Sequence, residues 1–309
     1  MPSCGAISIK QDANEHTRVL ERIELFDPPA VPSLSGFSFL EFAVDEGSGR
    51  ALGALLEHFG FRLAARHRSK QVVLYRQGDV NLILNADPDS VARKHFVDRG
   101  PSICAIGLLT DDPIRALNRA TALQCVRFDS PIGPRELQIP AVRAPDGGVV
   151  YFVPANLGSK GLFEIDFDLR ANDEQANADA RVQSIDHIAF GLPEGELDTW
   201  VLFRRAVLGM KPGDSLELSD PYGLIRSCGI ASQDGSVRVV LNVSLSQRMR
   251  HMGILYDRSP GGEYFHIYTA SFADRFFFEI VQRIGAYDAY GALNAPARMA
   301  SQAQATASI

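Results

Sequence analysis

Short bursts of apolar residues alternate along this chain with stretches of helical spacing, and the succession recurs. Phe37-Ser38-Phe39-Leu40-Glu41-Phe42-Ala43-Val44 alternates as a strand does, and Arg50 to Phe59 then carries leucines at helical spacing up to a stop at Gly60. Further strands are predicted at 61–66, 72–76 and 80–86, the last two joined by the hairpin turn Gln77-Gly78-Asp79. The unit is βαβββ.

A second copy opens with a strand at 102–108 and a helix entered through Asp112-Pro113. Proline suits a first helical turn, and Ile114, Leu117, Ala120 and Leu123 form the apolar face. Strands are predicted at 137–139 and 149–153, while 154–167 has no decisive period. The third copy has a strand at 185–190, a helix through Leu197, Trp200, Val201 and Phe203 to Val207, and strands at 215–218, 224–228 and 237–243. Copies one and three match closely, Val80-Asn81-Leu82-Ile83-Leu84-Asn85 against Val237-Arg238-Val239-Val240-Leu241-Asn242. Their openings match too, Glu41-Phe42-Ala43-Val44 against His187-Ile188-Ala189-Phe190.

A fourth copy is incomplete. Counting back from Glu279 by the spacing of either complete copy, Glu41 to Asn85 or His187 to Asn242, lands at Gly235 or Leu224, inside copy three. A helix-like stretch at 248–255, a strand at 264–269 and the run Asp274 to Arg283 are left for it. An opening strand and a crossing helix are missing; a naturally short unit, completion by a swapped partner, and residues lost between Leu245 and Arg248 by deletion or gene-model error are the readings left open. The expected division is a tail at 1–35, a first domain at 36–168, a polar linker at 169–181 and a second domain at 182–309.

Composition narrows the class. The 309 residues are 46% hydrophobic and 22% charged, as in a soluble globular protein, and a net charge of −6 argues against a dedicated nucleic-acid or membrane-surface binder. No stretch is apolar for long enough to span a bilayer, and the start lacks an apolar leader, so a cytoplasmic location is expected. Cys4, Cys104, Cys125 and Cys228 have no zinc spacing and read as reduced thiols.

The chemistry gathers around Asp274-Arg275-Phe276-Phe277-Phe278-Glu279-Ile280-Val281-Gln282-Arg283. This is the composition of a strand buried on both faces or nearly so, with a carboxylate in its middle. Burying an unpaired carboxylate costs several kcal/mol, so Glu279 is expected to be paired, protonated or metal-bound. The alternative is an amphipathic strand whose Glu279 reaches water or Arg283. Arg66, His67, Arg68 and Lys70 read as a solvated strand edge. His58, His95 and His251 read as exposed helix residues.

Paired βαβββ units with Asp186-His187-Ile188-Ala189 on an opening strand and Phe277-Phe278-Glu279-Ile280-Val281-Gln282-Arg283 on a closing one resemble the vicinal oxygen chelate superfamily. Within it the chain is similar to 4-hydroxyphenylpyruvate dioxygenases, closest to the dioxygenase-like half of fused bacterial 3-dehydroshikimate dehydratases. Ile139-Pro140-Ala141-Val142-Arg143-Ala144-Pro145-Asp146-Gly147 and Gly253-Ile254-Leu255-Tyr256-Asp257-Arg258 carry the match as well. The resemblance implies an α+β fold of two domains, the fourth module incomplete. It implies an Fe(II) site of two histidines and one glutamate, with positions open for a 2-oxo acid and dioxygen.

His187 matches the first of those histidines and Glu279 the glutamate. The second belongs to the missing opening strand, and His266, on the strand before Glu279, is a surrogate candidate. Asn242, His266 and Tyr290 are the expected substrate-pocket residues, with local strand-end or packing roles as the alternatives for Asn242 and Tyr290. Glu41 occupies the position of His187 in the first domain, which reads as scaffold. The implied function is an Fe(II)-dependent dioxygenase acting on an aromatic 2-oxo acid, impaired by the missing strand. The alternative is a non-catalytic module that forms a homo-oligomer or accompanies a separate 3-dehydroshikimate dehydratase.

Overall fold

Asp45 begins the first helix by a reciprocal cap: its carboxylate accepts from Ser48 N at 2.7 Å, and its own N–H donates to Ser48 Oγ at 3.0 Å. The computed structural model describes residues 27–129, 136–169, 180–220, 223–244 and 254–291. The capped helix, α1 (Glu46–His58), buries Leu52 and Leu56 against the sheet that surrounds it in sequence. That sheet begins with β1 (Leu34–Ala43) and continues with β2 (Arg62–His67), β3 (Val72–Gln77) and β4 (Val80–Asn85). After α2 (Val91–Arg99) come β5 (Ser102–Thr110), α3 (Pro113–Ala122), β6 (Ala141–Arg143), β7 (Val149–Pro154), α4 (Gly158–Asp166) and β8 (Phe167–Leu169).

These strands form one sheet in the order β6-β7-β5-β1-β4-β3-β2-β8. Each unit closes on itself in parallel, β1 with β4 and β5 with β7, and the two opening strands β1 and β5 join the units antiparallel. The helical crossovers make those parallel pairs possible.

The later half repeats the scheme once in full. β9 (Ile188–Leu192), α5 (Leu197–Ala206), β10 (Lys211–Asp220), β11 (Gly223–Ala231) and β12 (Arg238–Ser244) give a sheet ordered β10-β11-β12-β9, with β9 and β12 parallel. The remaining strands, β13 (Ile254–Ser259), β14 (Gly262–Tyr268) and β15 (Glu279–Gly285), form a separate antiparallel sheet in that order. Among the described residues, β9 and β15 are both edge strands. An opening strand between them would have completed the pattern of the first half. The fold is α+β, three complete or nearly complete units and a fourth reduced to three strands.

One buried cluster runs through both halves, from Phe42, Leu52 and Leu108 to Trp200, Ile230 and Leu241. The aromatic run before β15 belongs to this junction: Phe276 packs tilted against Phe42 with ring centres 5.2 Å apart, and Phe278 meets Phe59 edge-on at 5.7 Å. Arg119 adds a hydrogen bond to Ala206 O at 2.8 Å.

Several expectations change. The run 274–283 is not a strand buried on both faces. Asp274 and Arg275 are exposed in a turn, with left-handed backbone at Ala273 and Asp274 (φ 50° and 55°). In β15, Glu279, Val281 and Arg283 point inward while Ile280 and Ile284 are exposed, an ordinary period of two. The strand expected at 137–139 is a loop whose Leu137 and Ile139 pack on a small core, and the strand forms after Pro140 instead.

Of the helix-like stretch 248–255, Ile254 and Leu255 belong to β13; the rest, with His251, lies outside the described residues. So do most of the tail and linker. The basic cluster is divided: Arg66 and Arg68 are exposed, but His67 is largely buried and Lys70 pairs with Glu136 at 2.5 Å. His95 is half-buried beside Ser102 Oγ. Cys104, Cys125 and Cys228 are free thiols, and no helix among the described residues is long and apolar enough to cross a membrane.

Candidate metal centre

Period-two alternation places Glu279, at the first position of β15, on the inward face beside Val281 and Arg283. His266 faces inward from β14, which pairs with β15, and is buried to 2% exposure. His187 immediately precedes β9, on the other sheet. The three meet: His187 Nε2 lies 3.2 Å from Glu279 Oε2, and His266 Nδ1 lies 2.6 Å from Glu279 Oε1. Tyr264 donates to the same Oε1 at 3.3 Å, and Tyr268 Oη is 3.1 Å from His266 Nδ1.

A second layer fixes these groups. Asp186 Oδ2 holds His187 Nδ1 at 2.8 Å, leaving Nε2 to face Glu279. Arg283 grips Asp186 with two bonds, Nε to Oδ1 at 2.6 Å and a terminal nitrogen to Oδ2 at 2.9 Å. Its other terminal nitrogen donates to the carbonyls of Tyr287 and Ala289. The guanidinium lies 4.7 Å from the Tyr264 ring centre, and Tyr264 stacks on Tyr287 at 5.0 Å. Tyr290 meets the His187 ring edge-on at 5.6 Å, and Gly229 of β11 leaves room for its ring. Gly291, with φ 63°, passes against the rings of His266 and Tyr264, where a side chain would be crowded.

Electrostatically the cluster is a chain of alternating charge. Burial works against a charged His187, but its bonds with Asp186 and Glu279 outweigh that and hold its pKa up at about 9. Burial would likewise raise Glu279, yet hydrogen bonds from His187, His266 and Tyr268 bring it down to about 2. Asp186 is held far below the ordinary carboxylate range by His187 and Arg283 despite its burial. Tyr264 is pushed far up by burial and by the charge of Glu279.

Sequence reasoning named His187, Glu279 and His266, and the structure brings all three together; Tyr290 joins them. Asn242 lies half-buried on β12 opposite Gly191, and no hydrogen bond among the described residues ties it to the cluster. It is not the structural twin of Asn85 either. With Ala43 matched to Ala189, Asn85 corresponds to Val240, because Ala43 pairs with Asn85 and Ala189 with Val240. The roles of Asp186, Arg283, Tyr264 and Tyr268 were missed. An Asp directly before a candidate ligand histidine is the signal that could have found the first.

Two imidazoles and a carboxylate are a donor set suited to Fe(II). The fit is partial. His187 and His266 both spend the nitrogen facing Glu279, Nε2 and Nδ1 respectively, on a direct bond to it, His266 at the shorter distance. No group of three His, Cys, Asp or Glu side chains among the described residues is arranged to hold one ion.

Relatedness agrees with the geometry. Residues 26–168 match the family model described as hydroxyphenylpyruvate dioxygenase, N-terminal. A 3-dehydroshikimate dehydratase of Pseudomonas putida is 37% identical over 91% of this chain and 54% of its own length. A 4-hydroxyphenylpyruvate dioxygenase of Pseudomonas sp. is 30% identical over 72% of this chain and 62% of its own.

The chain is similar to the 4-hydroxyphenylpyruvate dioxygenase-like family, its first half matching the N-terminal model. It spans about half the length of the dehydratases it matches. A solved fusion of a xylose isomerase-like TIM barrel with a 4-hydroxyphenylpyruvate dioxygenase superposes with TM-score 0.78 at 33% identity, covering 96% of this chain and 56% of the fusion. A variant of 4-hydroxymandelate synthase from Streptomyces coelicolor, 19% identical with TM-score 0.72 over 88% of this chain and 99% of its own, shares the fold, the vicinal oxygen chelate arrangement. The alignment with the P. putida dehydratase runs over 345 positions, more than the 309 residues of this chain. That relative therefore carries stretches within the matched region that have no counterpart here.

Proposed function

We propose that this chain is a dioxygenase of the 4-hydroxyphenylpyruvate type, acting with Fe(II) and dioxygen on an aromatic 2-oxo acid, and that loss of one ligand strand impairs it. The observation that supports the reading is the meeting of His187 Nε2 and Glu279 Oε2 at 3.2 Å from two different sheets, with His187 oriented by Asp186. His187 and Glu279 would hold the metal, with His266 the surrogate for the third position. The iron, when bound, supplies the activation of dioxygen. The chain's own contribution is to fix the His187 tautomer through Asp186 and Arg283 and to cover the site with Tyr290. Asn242 belongs to the proposed substrate pocket. The division into a scaffold domain at 36–168 and a metal domain at 182–309, and a cytoplasmic location, are part of the same reading.

The test is Fe(II) titration of the purified protein followed by oxygen uptake on adding 4-hydroxyphenylpyruvate. Uptake that disappears in Glu279→Ala supports the reading; iron bound at one equivalent with no uptake overturns it.

A second reading is favoured by the partial ligand set and by the dehydratase relatives. In it the chain is a non-catalytic module that homo-oligomerises or assists a 3-dehydroshikimate dehydratase. Co-purification with such a dehydratase, absent oxygenase activity, supports it, and failure to associate counts against it.

A further inference from the structure

Arg204, near the end of α5, is 1% exposed. Its guanidinium lies among three rings, at 5.2 Å from Phe190, 5.4 Å from Trp200 and 5.8 Å from Phe203. Ring faces attract a cation but do not satisfy its N–H groups. Arg204 Nε has no hydrogen-bond partner among the described residues, and neither does the equally buried Trp200 Nε1. Both side chains line a cavity of about 20 Å³ at the junction of the two halves. The opposite wall comes from β5 and β7, chiefly Ile103, Ala105, Val149 and Val150.

Asp146 also lines the cavity, and its charge acts favourably on Arg204. Its carboxylate is already engaged, Oδ2 by Arg99 at 3.1 Å and Oδ1 by Gly148 N at 2.9 Å. No ion pair joins it to Arg204 among the described residues. A buried cation without a contact partner costs several kcal/mol, and two orphaned donors on side chains that line one small space add to that.

We propose that this cavity is a binding site for a small monovalent anion of chloride size, held by Arg204 and Trp200 between the two halves of the chain. Volume sets the class of ligand. A space of about 20 Å³ takes one water-sized particle, so a chloride-sized ion suits it better than a carboxylic metabolite or a phosphate. Charge selects against water, which would satisfy the donors but leave Arg204 unneutralised. The walls on both sides make the anion a clamp: binding favours the arrangement in which β5 and β7 lie against α5. The site is separate from the His187–Glu279 cluster and independent of the dioxygenase reading.

The experiment is thermal unfolding of the full chain in sodium chloride against sodium gluconate at constant ionic strength. A saturable rise in Tm with chloride is expected, on the order of 5 °C at a hundredfold excess over Kd. Arg204→Met should lose that rise. Trp200→Phe keeps most of the ring packing and should fold, with the chloride midpoint moved at least several-fold upward. Crystals of the unaltered protein soaked in bromide should show an anomalous peak between Arg204 and Trp200. Equal stabilisation by chloride and gluconate, an unchanged chloride dependence in Trp200→Phe, or a water in place of the bromide peak would each overturn the proposal.

Discussion

Arg283 offers the sharpest test of how the reduced half is held together. β9 and β15 are not bonded strand to strand, so the chain relies on side chains to join the two later sheets, and Arg283 supplies two charge-assisted bonds to Asp186. Replacing it by methionine keeps much of the stem packing on Tyr264 and Tyr287 but leaves the carboxylate to His187 alone. Breaking a buried pair costs about 3–5 kcal/mol where the remaining charge has no partner, and here Asp186 keeps its bond to His187. Arg283 and Asp186 are still 15% and 17% exposed, so solvent recovers part of this, and ~2–4 kcal/mol is expected.

Urea unfolding followed by tryptophan fluorescence suits the measurement, since Trp200 is the single tryptophan and lies in the half under test. A double-mutant cycle with Asp186→Asn isolates the pair, and a coupling of about 1.5–3 kcal/mol is expected for bonds to charged groups. If Arg283→Met unfolds within 0.5 kcal/mol of the parent (roughly the additivity error of such measurements), the pair does not join the sheets.

Three further outcomes follow from the same geometry. Glu41 is raised above its ordinary pKa by burial, against a lowering bond from Asn85. Folding therefore takes up protons, and stability falls as pH rises from about 4.5 through the folded pKa; Glu41→Gln should flatten that slope in thermal unfolding series, and an unchanged slope would clear Glu41 of the effect. Asp186→Asn should weaken divalent-metal binding by about 10–100-fold in calorimetric titration, because His187 loses the acceptor that fixes its tautomer; unaltered affinity would remove His187 from the ligand set. Gly291→Ala combines a left-handed φ of 63° with contacts of 3.0 Å to the His266 and Tyr264 rings and should cost about 1–2 kcal/mol, read from the urea midpoint.

The repeat was legible because its period was written twice in nearly the same letters, and because glycine turns and the Asp112-Pro113 helix start punctuate it. The truncated fourth unit was legible by counting alone. What escaped was set by tertiary contact. Phe276 and Phe278 have the composition of a strand interior but serve as the wedge on which the halves meet, which no local pattern encodes. α2 carries a weak apolar face and is announced mainly by the Ser90 cap, whose side chain accepts from Arg93 N. In the site, the ligand candidates came from residue type and resemblance, whereas the Asp186–Arg283 brace joins positions far apart in sequence. It could be seen only once β15 was laid beside the start of β9.

The offset between Asn85 and Asn242 has a bearing on how such duplicated sequences diverge. One copy has slid against the other by two positions along the closing strand, and a slide of two returns every side chain to the face it left. A slide of one would have exchanged the face of Leu241, fully buried here, with that of half-buried Asn242. Drift between repeated strands of this kind is thus quantised in even steps. Identical letters in two copies mark common ancestry, while the pleat decides which residues hold the same place.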